Sequence, residues 1–392
     1  MYLSYQKNSL GSTPFTNIYS NLLDKFIDIA YFLELDALKF LPLVSLSIAS
    51  KESVIISDLA SFIAPKLNIN LDSASRKLNR FFSNPNFDFI YFYHLLISKL
   101  ISTYKIKHPD KRVHIIFDHE NIEKKFTILM FTLKIGKQSI PLWFRVFKYL
   151  DKEAYSYSLF TEAISYCHNL IKSVEPYAKI IFLADRFWGN HFKLMNYIKS
   201  LGDKYCIRAK GDTIAYVYDK SEKIVIKKTI SKLTSYVYHS KIYYDIPISY
   251  KRYTMNLAIS KSVNHKEPFY ILTNDDPKRA IKDYGYRFGG IEFCFKAQKT
   301  NGFFIEETQI KSLQSFNAIY TCSCIAELIL TITGIDYSKN PKSYKDYKIT
   351  NGRIVNGKRR KNYSFFHIGL MLLEAARDGI ITILKRFILY DI

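Results

Sequence analysis

Acid is scarce in this chain and base is not. Its 392 residues carry 35 Asp and Glu against 57 Lys and Arg, a formal net charge of +22 at pH 7. A surplus of that size points to a polyanionic partner, either nucleic acid or an anionic membrane. Cysteine is sparse too: of Cys167, Cys206, Cys294, Cys322 and Cys324 only the last two stand close together. An odd number without zinc-ligand spacing excludes a disulfide framework and fits a reducing cytoplasm. The N-terminal MYLSYQKNSLGS lacks the apolar stretch of a secretory signal peptide. The longest apolar segment, AIYTCSCIAELILTITGI from Ala318, is interrupted by Glu327 and several hydroxyls, so it reads as a buried helix rather than a bilayer span. No membrane partner is therefore expected, and nucleic acid becomes the favoured polyanion. Nothing repeats at a fixed period, which excludes solenoids and propellers.

What is present is enough chain for two or three domains. The 31 Tyr and 29 Phe supply core material and some base-stacking surface. Residues 1–105 show apolar residues at helical spacing, as in NIYSNLLDKFIDIAYFL and FDFIYFYHLLISKLI. Between these lie two short helices joined at PKLNIN, the first capped by Ser57 or Asp58 and the second by Asp72 or Ser73. The second presents Arg76, Lys77 and Arg80 on one face, as a helix-turn-helix reading helix does. A solvated basic face is the plain alternative.

From residue 111 the texture changes. VHIIFD and AKIIFLAD are short apolar runs that each stop on an acid, Asp118 and Asp185, as buried strands do where they end at a site. FTILMFTL and IPLWFRVF form a hairpin between them, followed by a helix over about 154–173. A helix ending at Gly202 and the strand KYCIRAK complete the run. Three strands, helix, strand, helix, strand is the order of a ribonuclease H-like α/β core, in which the first and fourth strands are neighbours. Asp118 and Asp185 would then lie side by side, and two adjacent carboxylates repel unless a cation sits between them. Residues 211–274 are β-rich without helical period and are expected to be an all-β insertion. The core resumes over 275–334, and 335–392 form a basic C-terminal region with a terminal helix.

The third acid is expected in YRFGGIEFCFKAQKTNGFFIEET, residues 286–308, where Glu292 sits in an aromatic run among Arg287, Lys296 and Lys299. A surface pair with Lys296, four residues on, would stabilise a helix by only about 0.2–0.5 kcal/mol. Hard divalent cations want oxygen ligands, and two-metal phosphoryl-transfer sites gather carboxylates around ions about 3.5–4 Å apart. Glu306 and Glu307 are rival third acids, placed beside a helix cap at Thr308. His119 is a rival ligand beside Asp118.

These residues resemble the DDE transposases of bacterial insertion sequences, in the group with a Tyr-Arg-Glu-Lys signature and a β-rich insertion. FLADR at 182–186 is similar to that group's second-aspartate motif, IEFCFKAQK keeps its spacing from Glu292 to Lys299, and SRKLNRFF from Ser75 is similar to its N-terminal DNA-binding region. The resemblance covers nearly the whole chain. It implies that Asp118, Asp185 and Glu292 are catalytic and hold two Mg²⁺, with Mn²⁺ as substitute. It implies that Tyr284, Arg287 and Lys299 touch phosphates. Arg186 belongs with the DNA contacts, and Trp188 is expected either to stack on a displaced base or to pack under the sheet edge. The implied activity is metal-dependent cleavage at terminal inverted repeats and joining of the 3′-hydroxyl ends to target DNA, by a homodimer on double-stranded DNA in a bacterial cytoplasm, near the nucleoid, with no small-molecule cofactor. A structure-specific nuclease of the same fold and a DNA-binding protein without catalysis are the alternatives. One departure matters for geometry: four residues separate Arg287 from Glu292 where the family has three. On an unbroken α-helix that places the two side chains about 140° apart, so the Gly289-Gly290 pair is where a break is expected.

Overall fold

The computed structural model describes residues 14–378 apart from 104–109, 137, 220–223, 235–239, 262–266, 301, 345–346, 350–352, 356–357 and 361–362, together with residue 383. Five helices come first: α1 (Pro14–Ala30), α2 (Leu35–Lys51), α3 (Ile56–Leu67), α4 (Leu71–Phe82) and α5 (Phe89–Ile101). In α4 the buried Ala74, Leu78, Phe81 and Phe82 fall on one stripe, which leaves Arg76, Lys77 and Arg80 exposed on the other side. The caps differ from expectation. α3 starts after Ile55, whose N–H donates to Ser53 Oγ at 3.1 Å. Asn70 caps α4, accepting from Ser73 N at 2.8 Å. Asn70 holds the extended backbone that a cap needs, whereas Asp72 already lies in the first turn, where a carboxylate favours the positive end of the helix. Pro65 lies within α3, and the reversal falls over 68–70 with Asn68 in the left-handed region at φ 52°.

The strands are β1 (Arg112–Ile122), β2 (Phe126–Ile135), β3 (Gln138–Lys148), β4 (Lys179–Ala184), β5 (Lys204–Arg208), β6 (Ile214–Asp219), β7 (Ile224–Thr229), β8 (Lys241–Ile248), β9 (Tyr253–Ser260) and β10 (Phe269–Thr273). Among the described residues they form one mixed sheet, in the order β3-β2-β1-β4-β5-β10-β9-β8-β6-β7. β1, β4 and β5 run parallel; the other pairings are antiparallel. The β-rich stretch at 211–274 thus extends the central sheet edge to edge, with β10 hydrogen-bonded to β5. Its strands keep buried positions such as Leu257, Ala258 and Ile259, which is how the sheet continues without a gap in the core.

Two connections supply the helices α6 (Tyr157–Val174) and α7 (Phe192–Ser200). After the sheet come α8 (Pro277–Gly285), α9 (Ile291–Lys299), α10 (Leu313–Lys339) and, beyond the short pair β11 (Arg353–Val355) and β12 (Lys358–Arg360), α11 (Phe365–Arg377). α10 is long and apolar enough to cross a membrane by length and composition, but its apolar window is wholly buried inside the fold, so it is the core helix the sequence suggested. α11 crosses it at glycine contacts: a Cβ on Gly334 would strike the Phe365 backbone, and one on Gly369 the Leu330 backbone. The N-terminal helices dock on the same core, since Tyr93 of α5 donates to Pro141 O of β3 at 2.9 Å. The side chains of 353–360 and the last residues of the chain lie outside the described residues.

Candidate active site

Strand register builds the first half of the site. β1 pairs with β4 from Arg112 opposite Lys179 to Ile116 opposite Leu183. Two residues further along stand Asp118 and Asp185; Asp185 is just past the end of β4, whereas β1 does not stop on Asp118 as expected but runs on to Ile122, paired with β2 alone beyond its ladder with β4. On the far side of β4, Ala184 faces Ile207, so the next residue on each chain is Asp185 and Arg208. A base therefore joins the two acids in one row across three parallel strands, and Arg208 Nη1 lies 3.9 Å from Asp185 Oδ1.

Alternation along β1 then decides what each face meets. On the odd face, Phe117 stacks on Phe131 and touches Phe160 and Trp188, while His119 stacks on Trp188. On the even face, five successive residues meet the α8–α9 segment. Arg112 and His114 pair with Asp283. A Cβ on Gly290 would run into Ile116. Asp118 binds Arg287, and Glu120 accepts from Lys299 at 2.7 Å. One strand face thus aligns the whole signature segment.

That segment cannot be one helix. α8 ends at Gly285, residues 286–290 turn with Gly289 at φ 69°, and α9 starts at Ile291. The left-handed φ is one that glycine adopts without strain. The break brings Arg287 and Glu292 to the same side, as the five-residue step between them requires. Arg287 Nη2 lies 2.6 Å from Asp118 Oδ2 and 3.8 Å from Asp185 Oδ2, and Nη1 lies 3.2 Å from Glu292 Oε1. Three carboxylates, from within β1, from just past β4 and from the start of α9, converge on a single arginine that is only 6% exposed.

Opposing effects set the charges. Burial pushes the Asp118 carboxyl above its usual range, with the Arg287 guanidinium pulling against it. Burial also works against the Arg287 charge, but Asp118 foremost, and Asp185, hold it above its ordinary value. At the other end of β1, Asp283 has burial against it, yet His114 and Arg112 hold its carboxyl low. α9 is held from behind. Gln298 donates to Glu327 of α10 at 2.8 Å and accepts from Ser323 Oγ at 2.6 Å, and Cys294 Sγ donates to Ser139 O at 3.2 Å.

The remaining expected residues fall in several places. Tyr284 is buried at the edge of the cluster, its hydroxyl donating to Asp185 Oδ1 at 3.4 Å. Lys299 turns away from the three acids to Glu120 and Glu306, the latter at 2.8 Å, which also takes that rival acid out of the cluster. His119 is excluded as a rival ligand: it sits on the odd face, its Nε2 is 2.7 Å from Ala154 O, and burial pushes it down to about 4. Arg186 is exposed and 3.5 Å from Glu267. Trp188 needs correcting as a base-stacking residue, because its ring is 1% exposed and enclosed by Phe160, His119, Phe187 and His191. The packing alternative describes it. Arg208 escaped the sequence reading, because only the register of β4 against β5 places it beside Asp185. Beside it a cavity of about 510 Å³ is lined by Arg186, Arg208, Lys210, Ser231 and Glu267.

Among the described residues no three His, Cys, Asp or Glu side chains stand close enough to hold a metal ion as they are, and here the guanidinium lies where the three carboxylates meet. The chemistry of the donors still fits a hard divalent cation, since all are carboxylate oxygens and their common focus is already a cation site. No protein-family model matches the chain, and a search of curated proteins finds no match.

Proposed function

We propose that the chain is a DNA transposase of the DDE type, cleaving phosphodiester bonds at transposon ends and joining the freed 3′-hydroxyl to target DNA. The observation that carries this reading is the convergence of Asp118, Asp185 and Glu292, from separate elements, on one buried cation position. Strand order β3-β2-β1-β4-β5, with one acid on β1 where it outruns its β4 ladder and the other just past β4, supports a ribonuclease H-like core. The strands from β6 to β10, within 211–274, would be the insertion, drawn into the same sheet.

In this reading Asp118, Asp185 and Glu292 would hold divalent metal, Mg²⁺ or Mn²⁺, which when bound would supply an activated water and charge stabilisation at the transferring phosphoryl group. The chain's own residues do the rest. Asp118 and Asp185, fixed by the ladder, present oxygens from two adjacent strands. Tyr284 donates to Asp185 and keeps that carboxylate turned toward the cluster. Arg208, Arg186 and Lys210, around the cavity beside Asp185, offer donors for the DNA backbone and hold it in line. The net charge of +22 supplies affinity that is blind to sequence and sensitive to salt. The exposed Arg76, Lys77 and Arg80 on α4 favour this reading over a structure-specific nuclease, which has no need of a base-reading helix.

Plasmid nicking with Mg²⁺ tests it. Asp118→Ala, Asp185→Ala and Glu292→Ala are each expected to abolish nicking while DNA binding persists. Nicking by any one of these purified variants would remove that residue from the site.

A further inference from the structure

Three carboxylates brought together without compensation repel one another, and in this protein a side chain supplies the compensation. We propose that Arg287 is an exchangeable counter-cation. Without metal its guanidinium holds Asp118, Asp185 and Glu292 together; on DNA it transfers to a backbone phosphate and frees the carboxylates for divalent cations. Metal and DNA then bind cooperatively. This rests on the reading of the three acids as metal ligands.

The geometry separates Arg287 from an ordinary structural ion pair. Its two terminal nitrogens are spread over all three acids, at 2.6, 3.8 and 3.2 Å, so it occupies the focus that a shared cation would take. The cluster is not balanced by it: three acids face one guanidinium, with Arg208 reaching only Asp185, at 3.9 Å. Arg287 Nε, like Arg112 Nε, is buried without a hydrogen-bond partner, so among the described residues the carboxylates are what tether the head group. Arg112, the other buried arginine on this strand face, differs because its partner Asp283 is further locked by His114.

The backbone around Arg287 suits exchange. Arg287 N donates to Tyr284 O at 3.0 Å, which anchors the main chain at the end of α8 and leaves the side chain to move. Next in sequence come Phe288, half exposed, and the left-handed Gly289. A phosphate is the natural alternative partner, since a guanidinium forks onto phosphate oxygens as it does onto a carboxylate. When DNA draws Arg287 away, the acids lose their cation and the site's demand for metal rises. By linkage, the factor by which DNA tightens metal binding equals the factor by which metal tightens DNA binding.

The test is Mn²⁺ titration of the full chain, followed by the electron paramagnetic resonance of free Mn²⁺, with and without a short duplex of arbitrary sequence. The wild type is expected to bind Mn²⁺ weakly alone and about tenfold or more tighter with duplex, within the usual range of coupling between sites. Arg287→Gln should bind Mn²⁺ about tenfold tighter than wild type without duplex and gain little when duplex is added. Arg287→Lys keeps a charge but loses the fork, and should fall between the two; it serves if the Gln variant does not fold. Without metal the melting temperature of Arg287→Gln should drop, and Mn²⁺ should raise it by more than it raises the wild type's. Equal Mn²⁺ affinity in wild type and both variants overturns the exchange, provided Asp118→Asn abolishes that binding. If Asp118→Asn leaves Mn²⁺ binding untouched, the ion is elsewhere, and the metal-ligand reading falls together with the exchange.

Discussion

Glu327 offers the clearest energetic test of how the site is supported from behind. It lies in the middle of α10 at 1% exposure, accepts from Gln298 Nε2 at 2.8 Å, and leaves its other oxygen without a partner. Burial pushes its carboxyl from 4.5 up to about 8, so at neutral pH the folded chain holds it as the uncharged acid. A tenfold change in proton affinity is worth about 1.4 kcal/mol, which makes the linkage between folding and this proton on the order of 5 kcal/mol. Because the folded value is the higher one, this contribution is fully present below about pH 4.5 and is lost as pH rises toward 8. Glu327→Gln removes the proton but keeps a carbonyl oxygen for the Gln298 amide. Urea denaturation of wild type and variant at a series of pH values reads the difference directly. The stability gap should open in the variant's favour as pH rises, by several kcal/mol between about pH 5 and pH 8, and then stay level. A gap that stays constant over that interval would show that Glu327 does not titrate with folding.

Asp283→Ala leaves Arg112 buried with only Asp275 at 2.8 Å, and should cost about 3 kcal/mol or more in urea denaturation; an unchanged midpoint would mean the cluster is not load-sharing. Gly290→Ala places a methyl group against Ile116 and Ser139, so the turn carrying Arg287 must shift. Its expected cost is about 1–3 kcal/mol, with a clear loss of nicking, and wild-type nicking at reduced stability would separate packing from site geometry. Replacing Arg76, Lys77 and Arg80 together with Ala should abolish preference for repeat ends while leaving salt-sensitive binding to arbitrary duplex, read by competition between the two DNAs. Retained preference would move specificity away from α4.

The end of β4 was legible because, in a buried sheet, a continuous apolar run stops on an acid mainly where the strand runs out into a site, and Asp185 follows from that pattern. The same pattern picked out Asp118 but misplaced the end of β1, which runs on to Ile122 because β2 still pairs with it there; the need for a break at Gly289-Gly290 follows once Arg287 and Glu292 must face one cleft. The helix starts were less legible, since Asn70 and Asp72 both carry cap chemistry and only the backbone distinguishes them. What remained hidden was pairing between distant residues. Nothing local in KYCIRAK marks Arg208 as the neighbour of Asp185; the register of β4 against β5 does that. Trp188 misled for the opposite reason. Its position three residues after an acid suggests a site residue, but side-chain direction turns it into the aromatic layer on the odd side of β1. The continuity of β5 with β10 was likewise invisible, because edge pairing between strands is set by tertiary context rather than by period.

The same contacts divide the site into a fixed half and an adjustable half. Asp118 and Asp185 follow directly on the β1–β4 ladder, whose last paired residues, Ile116 and Leu183, are fully buried. Moving either acid would open the centre of the sheet, at a cost near that of global unfolding. Arg287 and Glu292 flank a turn whose backbone bonds are local, Phe288 N to Gly285 O at 3.3 Å and Gly290 N to Arg287 O at 3.0 Å. Opening that turn exposes little, because Phe288 is already half exposed. Side-chain and turn motion are therefore the affordable ways for this site to accept a substrate. On the proposed reading the Asp pair would set where a cation sits, and motion of the segment from Arg287 to Glu292 would set when the guanidinium gives way to it.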